Sequence, residues 1–106
     1  MIRQEHINDF AREIAQRYSP DKIVLFGSQA VGGATDDSDV DLLVIMDFVG
    51  RGVHKAADIL CDINPRFSVD LLIRRPSEIQ HRLALNDDFI SDILTTGRTL
   101  YDRNWP

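Results

Sequence analysis

The chain has little of what secreted, membrane-spanning or zinc-binding proteins usually contain. Its one cysteine, Cys61, excludes an intramolecular disulfide, and no cluster of cysteine and histidine indicates a zinc site. Neither a signal peptide nor an apolar run of about 18 residues occurs. The sequence therefore predicts a reduced, cytoplasmic protein without a membrane segment. Cys61 is expected to be a small core residue on the apolar face of a helix, a face that also contains Val53.

An excess of basic residues is absent as well. The chain has 12 lysines and arginines against 17 aspartates and glutamates, which gives a formal net charge of -5. Domains that bind nucleic acid by neutralising phosphates usually carry a basic face, so no nucleic-acid groove is expected. A nucleotide bound through a divalent cation is compatible with this charge. With 106 residues, 43% of them hydrophobic, the chain is expected to form a single domain, residues 1–106, around one modest core.

Helical and strand-like segments alternate along the chain, and no internal repeat or linker separates them. Apolar spacing and turn signals predict helices at 4–18, from Val53 to Pro65, from Pro76 onward and around 89–94 up to Gly97. The apolar stripe of the last helix consists of Phe89, Ile90, Ile93 and Leu94. A short helical turn is predicted at 28–32, and strands are predicted at 22–26, 39–46, 67–73 and 99–101. This alternation predicts an α/β or α+β fold, with a sheet covered by helices.

Asp39 and Asp41 stand one residue apart at the head of the second predicted strand. Side chains alternate faces along a strand, so both carboxylates point to the same side, with Cα atoms roughly 6.6 Å apart. Two carboxylates ~4 Å apart repel by about 4 kcal/mol at an effective dielectric of roughly 20. A divalent cation bound between them would offset this repulsion. The alternative is that both are ordinary solvated strand residues.

Asp70 is a third acidic residue within an apolar strand. If its strand lies beside the second one, Asp70 reaches the same face as Asp41. Three carboxylates favour a hard cation such as Mg²⁺, which takes oxygen ligands and keeps positions for phosphate oxygens and water. In a two-metal arrangement, one ion would hold a triphosphate and the other would activate an attacking hydroxyl. Asp70 would then contact the second ion or act as the base.

Gly27 and Ser28 form a predicted turn directly after the first strand. The missing Cβ at Gly27 lets the backbone approach a phosphate, and the N–H groups of the following helical turn favour an anion. The Ser28 hydroxyl can add a hydrogen bond. Most Gly-Ser dipeptides are simply turns, so it is the position of this one ahead of Asp39 and Asp41 that indicates a phosphate site.

These features form one joint pattern, which consists of Gly27-Ser28, then Ser38-Asp39-Val40-Asp41-Leu42, then Asp70 in a later strand. The pattern resembles the minimal nucleotidyltransferases of the DNA polymerase beta superfamily. The likeness covers most of the chain, because PSEIQHRL and FISDILTTGRTLYD resemble the usual C-terminal ending of these domains. The resemblance implies a mixed β-sheet flanked by helices and a bound nucleoside triphosphate.

The resemblance also implies the roles of individual residues. Catalysis and Mg²⁺ binding are expected from Asp39, Asp41 and Asp70, and nucleotide binding from Gly27, Ser28 and Ser38. One position departs from the family pattern, which usually reads Gly-Ser-x-Ala-Arg-Gly, because Val31 stands where the arginine is expected. Valine cannot replace a five-donor cation. The candidates to supply that charge instead are Arg51 and Lys55.

The reaction implied by the resemblance is transfer of a nucleoside monophosphate, AMP from ATP, to a hydroxyl acceptor with release of pyrophosphate. Few residues follow Asp70, so the acceptor is expected on another molecule. Small domains of this kind are often paired with helical HEPN proteins and act as antitoxins, either by nucleotidylating a partner tyrosine or by direct binding. A HEPN-type protein partner is therefore expected.

Two other functions are compatible with the sequence. The first is a non-catalytic antitoxin or regulatory module that binds nucleotide or a partner, which Val31 favours. The second is a small-molecule transferase of the aminoglycoside-modifying type, which would need a homodimer to build the acceptor pocket. The remaining polar and aromatic residues have simpler expectations. Asp36 and Asp37 are expected to be solvated or capping, and His6, His54 and His81 to be surface or structural residues. Arg74 and Arg75 are expected to be exposed or to steer an anion, and Trp105 to lie in a tail or a subunit contact.

Overall fold

A computed structural model of the chain describes residues 4–31 and 39–105, with the side chain of Val31 excepted. The described part forms a mixed α+β fold. Its elements, in chain order, are α1 (Gln4–Tyr18), β1 (Lys22–Phe26), α2 (Ser28–Val31), β2 (Val40–Ile45), α3 (Gly52–Asp62), β3 (Val69–Arg74), α4 (Pro76–Ala84), α5 (Asp88–Thr96) and β4 (Arg98–Asp102). The predicted alternation of helices and strands is confirmed.

The four strands form one mixed sheet in the order β3-β2-β1-β4. β1 is antiparallel to both β2 and β4, whereas β2 and β3 are parallel. Parallel strands need a crossover connection, and α3 provides it. β1 ends at Phe26 beside Asp41 near the start of β2, and Asp41 pairs in turn with Asp70 of β3. We call this end of the sheet the carboxylate end.

Helices cover both faces of the sheet. On the α1/α3 face, one apolar cluster joins these two helices to the sheet, and its buried members include Phe10, Ile14, Ile23, Leu42, Val44, Ile59 and Ile73. On the α4/α5 face, a smaller cluster contains Val24, Leu43, Ile45, Ile79, Ile90 and Ile93. Because strand side chains alternate faces, Leu43 and Ile45 place Asp41 on the α4/α5 face. Leu72, which packs against the smaller cluster, places Asp70 there too.

The prediction that Cys61 is a core residue is wrong, because its side chain is exposed. The apolar positions of α3 fit two different stripes, and the structure buries the one that contains Ala56 and Ile59. Cys61 lies two positions after Ile59, which is about 200° around a helix with 3.6 residues per turn. Val53, predicted on the same buried stripe as Cys61, is 66% exposed.

Candidate active site

Asp41 and Asp70 are direct neighbours across the parallel pair β2·β3. Adjacent strands lie about 4.8 Å apart, and partner residues point to the same face of the sheet. Asp39 lies two positions before Asp41 and one residue before β2 begins. Asp39 and Asp70 are exposed, whereas Asp41 is partly buried. The structure therefore brings the predicted carboxylates to one end of one face, with Asp41 in the middle.

The environment of Asp41 raises the pKa of its carboxyl group above the usual value. The first cause is desolvation by burial, and the charges of Asp70 and Asp39 add to it in that order. All three effects disfavour the ionised form of Asp41. A cation bound at this point would reverse that balance, so the arrangement has the electrostatics of a cation site rather than of a structural ion pair.

Gly27 makes room for the Asp41 carboxylate. A Cβ built at residue 27 would overlap Asp41 Oδ2, and Gly27 has a φ of +76°, which other residues rarely adopt. The next residue, Ser28, begins α2, and the Ala30 N–H donates to the Gly27 carbonyl at 3.1 Å. The turn predicted at Gly27-Ser28 is therefore directly against the carboxylates. Ser38, predicted to bind nucleotide, lies outside the described residues, as do Asp36 and Asp37.

The carboxylate oxygens at the carboxylate end of the sheet are the type of ligand that Mg²⁺ binds. They do not form a preassembled three-ligand site. In residues 4–31 and 39–105, no three His, Cys, Asp or Glu side chains lie close enough together to hold one ion. Asp39 and Asp70 are exposed, and their negative charges add to that of Asp41. Mg²⁺ is usually bound by one or two carboxylates together with substrate phosphates and water. Asp39 and Asp41 with a triphosphate satisfy that requirement.

An aromatic pair borders the carboxylates. Phe26 is the cross-strand partner of Asp41 on β1. Its ring meets the ring of Phe89, on α5, edge to face with centroids 6.0 Å apart. Phe89 is 57% exposed, although sequence periodicity predicted it as part of the apolar stripe of α5. The stripe that α5 buries consists of Ile90 and Ile93. No sequence signal distinguishes Phe89 from its buried neighbours.

Arg51 and Lys55, the two candidates to supply the charge of the missing arginine, do not lie beside the carboxylates. Arg51 is the N-cap of α3, and Lys55 lies within this helix. The helix packs on the face of the sheet opposite Asp41. The Lys55 ammonium lies 5.0 Å from the centre of the Tyr18 ring. Tyr18 in turn donates its hydroxyl to Asp62 at 2.9 Å. These groups stabilise the contact between α1 and α3 and are screened from the carboxylates by the sheet.

Arg75 binds the backbone of the loop that contains Phe48 and Gly50, at the opposite end of the sheet from the carboxylates. Its Nε donates to the Phe48 carbonyl at 3.1 Å and its Nη2 to the Gly50 carbonyl at 2.6 Å. Its guanidinium also stacks 4.0 Å from the centre of the Phe48 ring. Arg74 Nη1 donates to the Ile73 carbonyl at 2.9 Å. The strand-end arginine pair is therefore turned toward the protein's own backbone rather than toward an anionic ligand.

A groove of about 640 Å³ lies between α1 and β4, away from the candidate site. Its walls include Arg12, Arg98, Tyr101 and Trp105, and none of the three aspartates lines it. Trp105 is 53% exposed. Of the two alternatives predicted for His6, His54 and His81, surface or structural, the structure shows the first, because all three are exposed. In the same part of the chain, no helix has both the length and the apolar character that a membrane crossing requires.

Residues 9–105 match the family model described as polymerase beta, nucleotidyltransferase. The chain belongs to this family, and its reaction class is therefore that of a transferase. The resemblance inferred from the Gly-Ser turn and the aspartates is confirmed at the level of the family.

Two curated relatives come from Methanocaldococcus jannaschii. The chain is 28% identical over 103 residues to MJ0604, a provisionally named protein adenylyltransferase, and the match covers 95% of this chain and 100% of that protein. It is 31% identical over 106 residues to MJ1305, which has the same provisional name, and the match covers 92% of this chain and 71% of that protein.

Solved structures share the fold at lower sequence identity. A protein from Sulfolobus solfataricus, provisionally named a nucleotidyltransferase, superposes with a TM-score of 0.58 at 22% identity, over 73% of this chain and 70% of that one. A toxin-antitoxin complex with AMP-PNP superposes with a TM-score of 0.56 at 19% identity, over 90% of this chain and 73% of that one. A mutant of the toxin-antitoxin MntA-HpeT superposes with a TM-score of 0.51 at 16% identity, over 95% of this chain and 74% of that one. The mixed sheet flanked by helices is thus the nucleotidyltransferase fold of the polymerase beta type.

Proposed function

We propose that the chain is an Mg²⁺-dependent adenylyltransferase that moves AMP from ATP to a hydroxyl group of a protein partner and releases pyrophosphate. The observation that carries this proposal is the juxtaposition of Gly27, Asp41 and Asp70 at the carboxylate end of the sheet. Membership of the nucleotidyltransferase family supports the reaction class. The names of the two Methanocaldococcus relatives support adenylyl transfer to protein.

Each group at the carboxylate end has a role in this reaction. Asp39 and Asp41 would hold Mg²⁺, which neutralises triphosphate charge when bound. The missing Cβ of Gly27 leaves room for the Asp41 carboxylate beside the turn, and the Ser28 hydroxyl would donate to a phosphate oxygen bound there. Asp70, exposed beside Asp41, accepts the proton of the acceptor hydroxyl. The hydroxyl oxygen then bonds to the α-phosphorus, and the bond to the bridging oxygen breaks to release pyrophosphate.

The protein partner is proposed to be a HEPN-type helical protein, with the chain as its antitoxin. The resemblance to minimal nucleotidyltransferases motivates this partner. Two structures of the same fold come from complexes described as toxin-antitoxin, which supports a role in such a pair. The exposed carboxylates are consistent with a macromolecular acceptor, because an acceptor hydroxyl on a protein surface can approach them from solvent.

A label-transfer experiment tests the proposed reaction. The chain, a co-purified HEPN-type partner, ATP labelled at the α-phosphate and Mg²⁺ should yield labelled partner. The double variant Asp39→Asn with Asp41→Asn should lose the transfer. Asp47→Asn is the matched control, because Asp47 is also exposed but follows β2 at the opposite end of the sheet, roughly 20 Å from Asp41 along an extended chain. Transfer that persists in the double variant would contradict the assignment.

The second candidate is a non-catalytic module that binds the same partner. The observation that favours it is valine at position 31, where the family pattern has arginine. Calorimetry separates the two functions. Tight partner binding that is unaffected by removal of Mg²⁺ and ATP, together with absence of turnover, would establish the binder. Partner labelling that requires both would establish the enzyme.

A further inference from the structure

Phe26, Asp41 and Asp70 form a row across three neighbouring strands at the carboxylate end. The register pairs Phe26 with Asp41 and Asp41 with Asp70. Phe26 packs against the apolar cluster of the α4/α5 face, which is also the face of the two aspartates. The row therefore places an aromatic ring one strand away from the proposed Mg²⁺-triphosphate site, on the side of β1.

Phe89 extends this row beyond the sheet. Its ring stands at 86° to the ring of Phe26, with centroids 6.0 Å apart. Phe26 is one strand spacing, about 4.8 Å, from the backbone of Asp41, and the ring of Phe89 contacts the ring of Phe26. Phe89 is therefore one strand and one ring contact away from the proposed triphosphate site, on the side of β1.

The exposure of Phe89 is not explained by the packing of α5. The two isoleucines on the buried side of the helix, Ile90 and Ile93, are each 3% exposed, whereas Phe89 is 57% exposed. Phe26 is only partly buried and supports the ring of Phe89 from one side. An aromatic ring held in place by another ring, with most of its surface open to solvent, is a stacking platform for a flat apolar ligand.

We infer that Phe89, supported by Phe26, forms the nucleobase subsite of this active site. The inference rests on the proposed function, because the base can reach Phe89 only if the triphosphate lies at Gly27 and Asp41. Every nucleobase presents a π-face, so stacking on phenylalanine favours bases by their stacking strength and does not read their edges. The subsite therefore prefers purine nucleotides over pyrimidine nucleotides and discriminates little between adenine and guanine.

Calorimetry with two ligands tests the subsite. MgATP presents both a triphosphate and a base, whereas Mg-tripolyphosphate presents the phosphates alone. Phe89→Ala should weaken MgATP binding about 5- to 150-fold, the range expected for loss of one base–aromatic stack, and leave Mg-tripolyphosphate binding unchanged. Phe89→Tyr keeps the ring and should restore MgATP binding. Leu85→Ala is the matched control, because Leu85 is 64% exposed and precedes the same helix.

Four results would overturn the inference. Unchanged MgATP binding by Phe89→Ala would show that the base lies elsewhere, and equal weakening of both ligands would show a general disturbance of the site. If Phe89→Ala and Leu85→Ala both weaken partner binding while MgATP binding is retained, the exposed surface formed by Phe89 and Leu85 is a protein-docking surface instead. A wild-type chain that binds neither ligand would overturn the proposed function as well, and this distinguishes the two failures.

Discussion

The Asp41 carboxylate occupies the space that a side chain at residue 27 would need. Gly27 belongs to the turn after β1, and Asp41 belongs to β2, so the contact joins the two halves of the candidate site. The missing side chain therefore serves two purposes at once. It permits a φ of +76°, and it lets a charged group lie against the backbone of the phosphate-binding turn.

Replacement of Gly27 by alanine should abolish transfer, because the new Cβ displaces the Asp41 carboxylate. It should also destabilise the protein by about 1–2 kcal/mol through left-handed backbone strain. Gly50→Ala is the matched control, because Gly50 has a φ of +89° but no atom of the described residues lies within 4 Å of the place its Cβ would take. Thermal unfolding should show similar losses for both variants, and only Gly27→Ala should lose activity. Equal activity of the two variants would contradict the role of the Asp41 contact.

Asp41→Asn should raise the thermal stability of the protein without Mg²⁺ and nucleotide, while transfer is lost. The raised pKa of Asp41 means that the folded state disfavours its charge, through burial first and then through Asp70 and Asp39. Asparagine removes that charge without changing the shape of the side chain. Asp47→Asn, at an exposed position beyond the end of β2, should leave the unfolding temperature nearly unchanged. A lower unfolding temperature for Asp41→Asn would contradict this electrostatic cost.

Arg75→Lys should destabilise the protein by about 1–3 kcal/mol, because lysine cannot replace the guanidinium bonds to the Phe48 and Gly50 carbonyls. Urea unfolding measures this loss. MgATP binding should remain at the wild-type level, because Arg75 lies at the end of the sheet away from Asp41. A stable Arg75→Lys variant that fails to bind MgATP would instead make Arg75 a ligand-binding cation.

The pH dependence of stability should contain a contribution from Glu78. Its Oε1 accepts from the Arg75 backbone N–H at 2.9 Å, and this bond is the main cause that lowers the pKa of Glu78 below 4.5. A lowered folded pKa stabilises the protein above pH 4.5, and this stabilisation is lost as the pH falls through the folded value. Urea unfolding of wild type and Glu78→Gln should therefore differ at pH 7 and converge in acid. A difference that grows in acid would contradict this sign.

The helices and strands were predictable where one periodicity dominates the sequence. α1 and β1 have the predicted bounds, because their apolar residues follow a single helical stripe or a short apolar run. The ends of β3 differ from the prediction, since strand bounds depend on pairing with β2. The stripe of α3 was misassigned because Val53 and Cys61 fit a helical repeat that faces solvent.

The candidate site was predictable only in part. Spacing alone placed Asp39 and Asp41 on one face, whereas the alignment of Asp70 with Asp41 depends on which strands pair. Gly97 was predicted to end α5 and does so, but its φ of -72° is not left-handed. Glycine is needed there because a Cβ would overlap the Ile93 carbonyl and the side chain of Val24. The pairing of Phe26 with Phe89 likewise follows from helix packing and has no local sequence signal.

The central claim is that the chain transfers AMP, and the most direct measurement follows two labelled forms of ATP in parallel. Incubation of the chain, its HEPN-type partner and Mg²⁺ with ATP labelled at the α-phosphate should label the partner. ATP labelled at the γ-phosphate should leave the partner unlabelled and release the label as pyrophosphate. Partner labelled from the γ-phosphate, or from neither position, would contradict adenylyl transfer by this site.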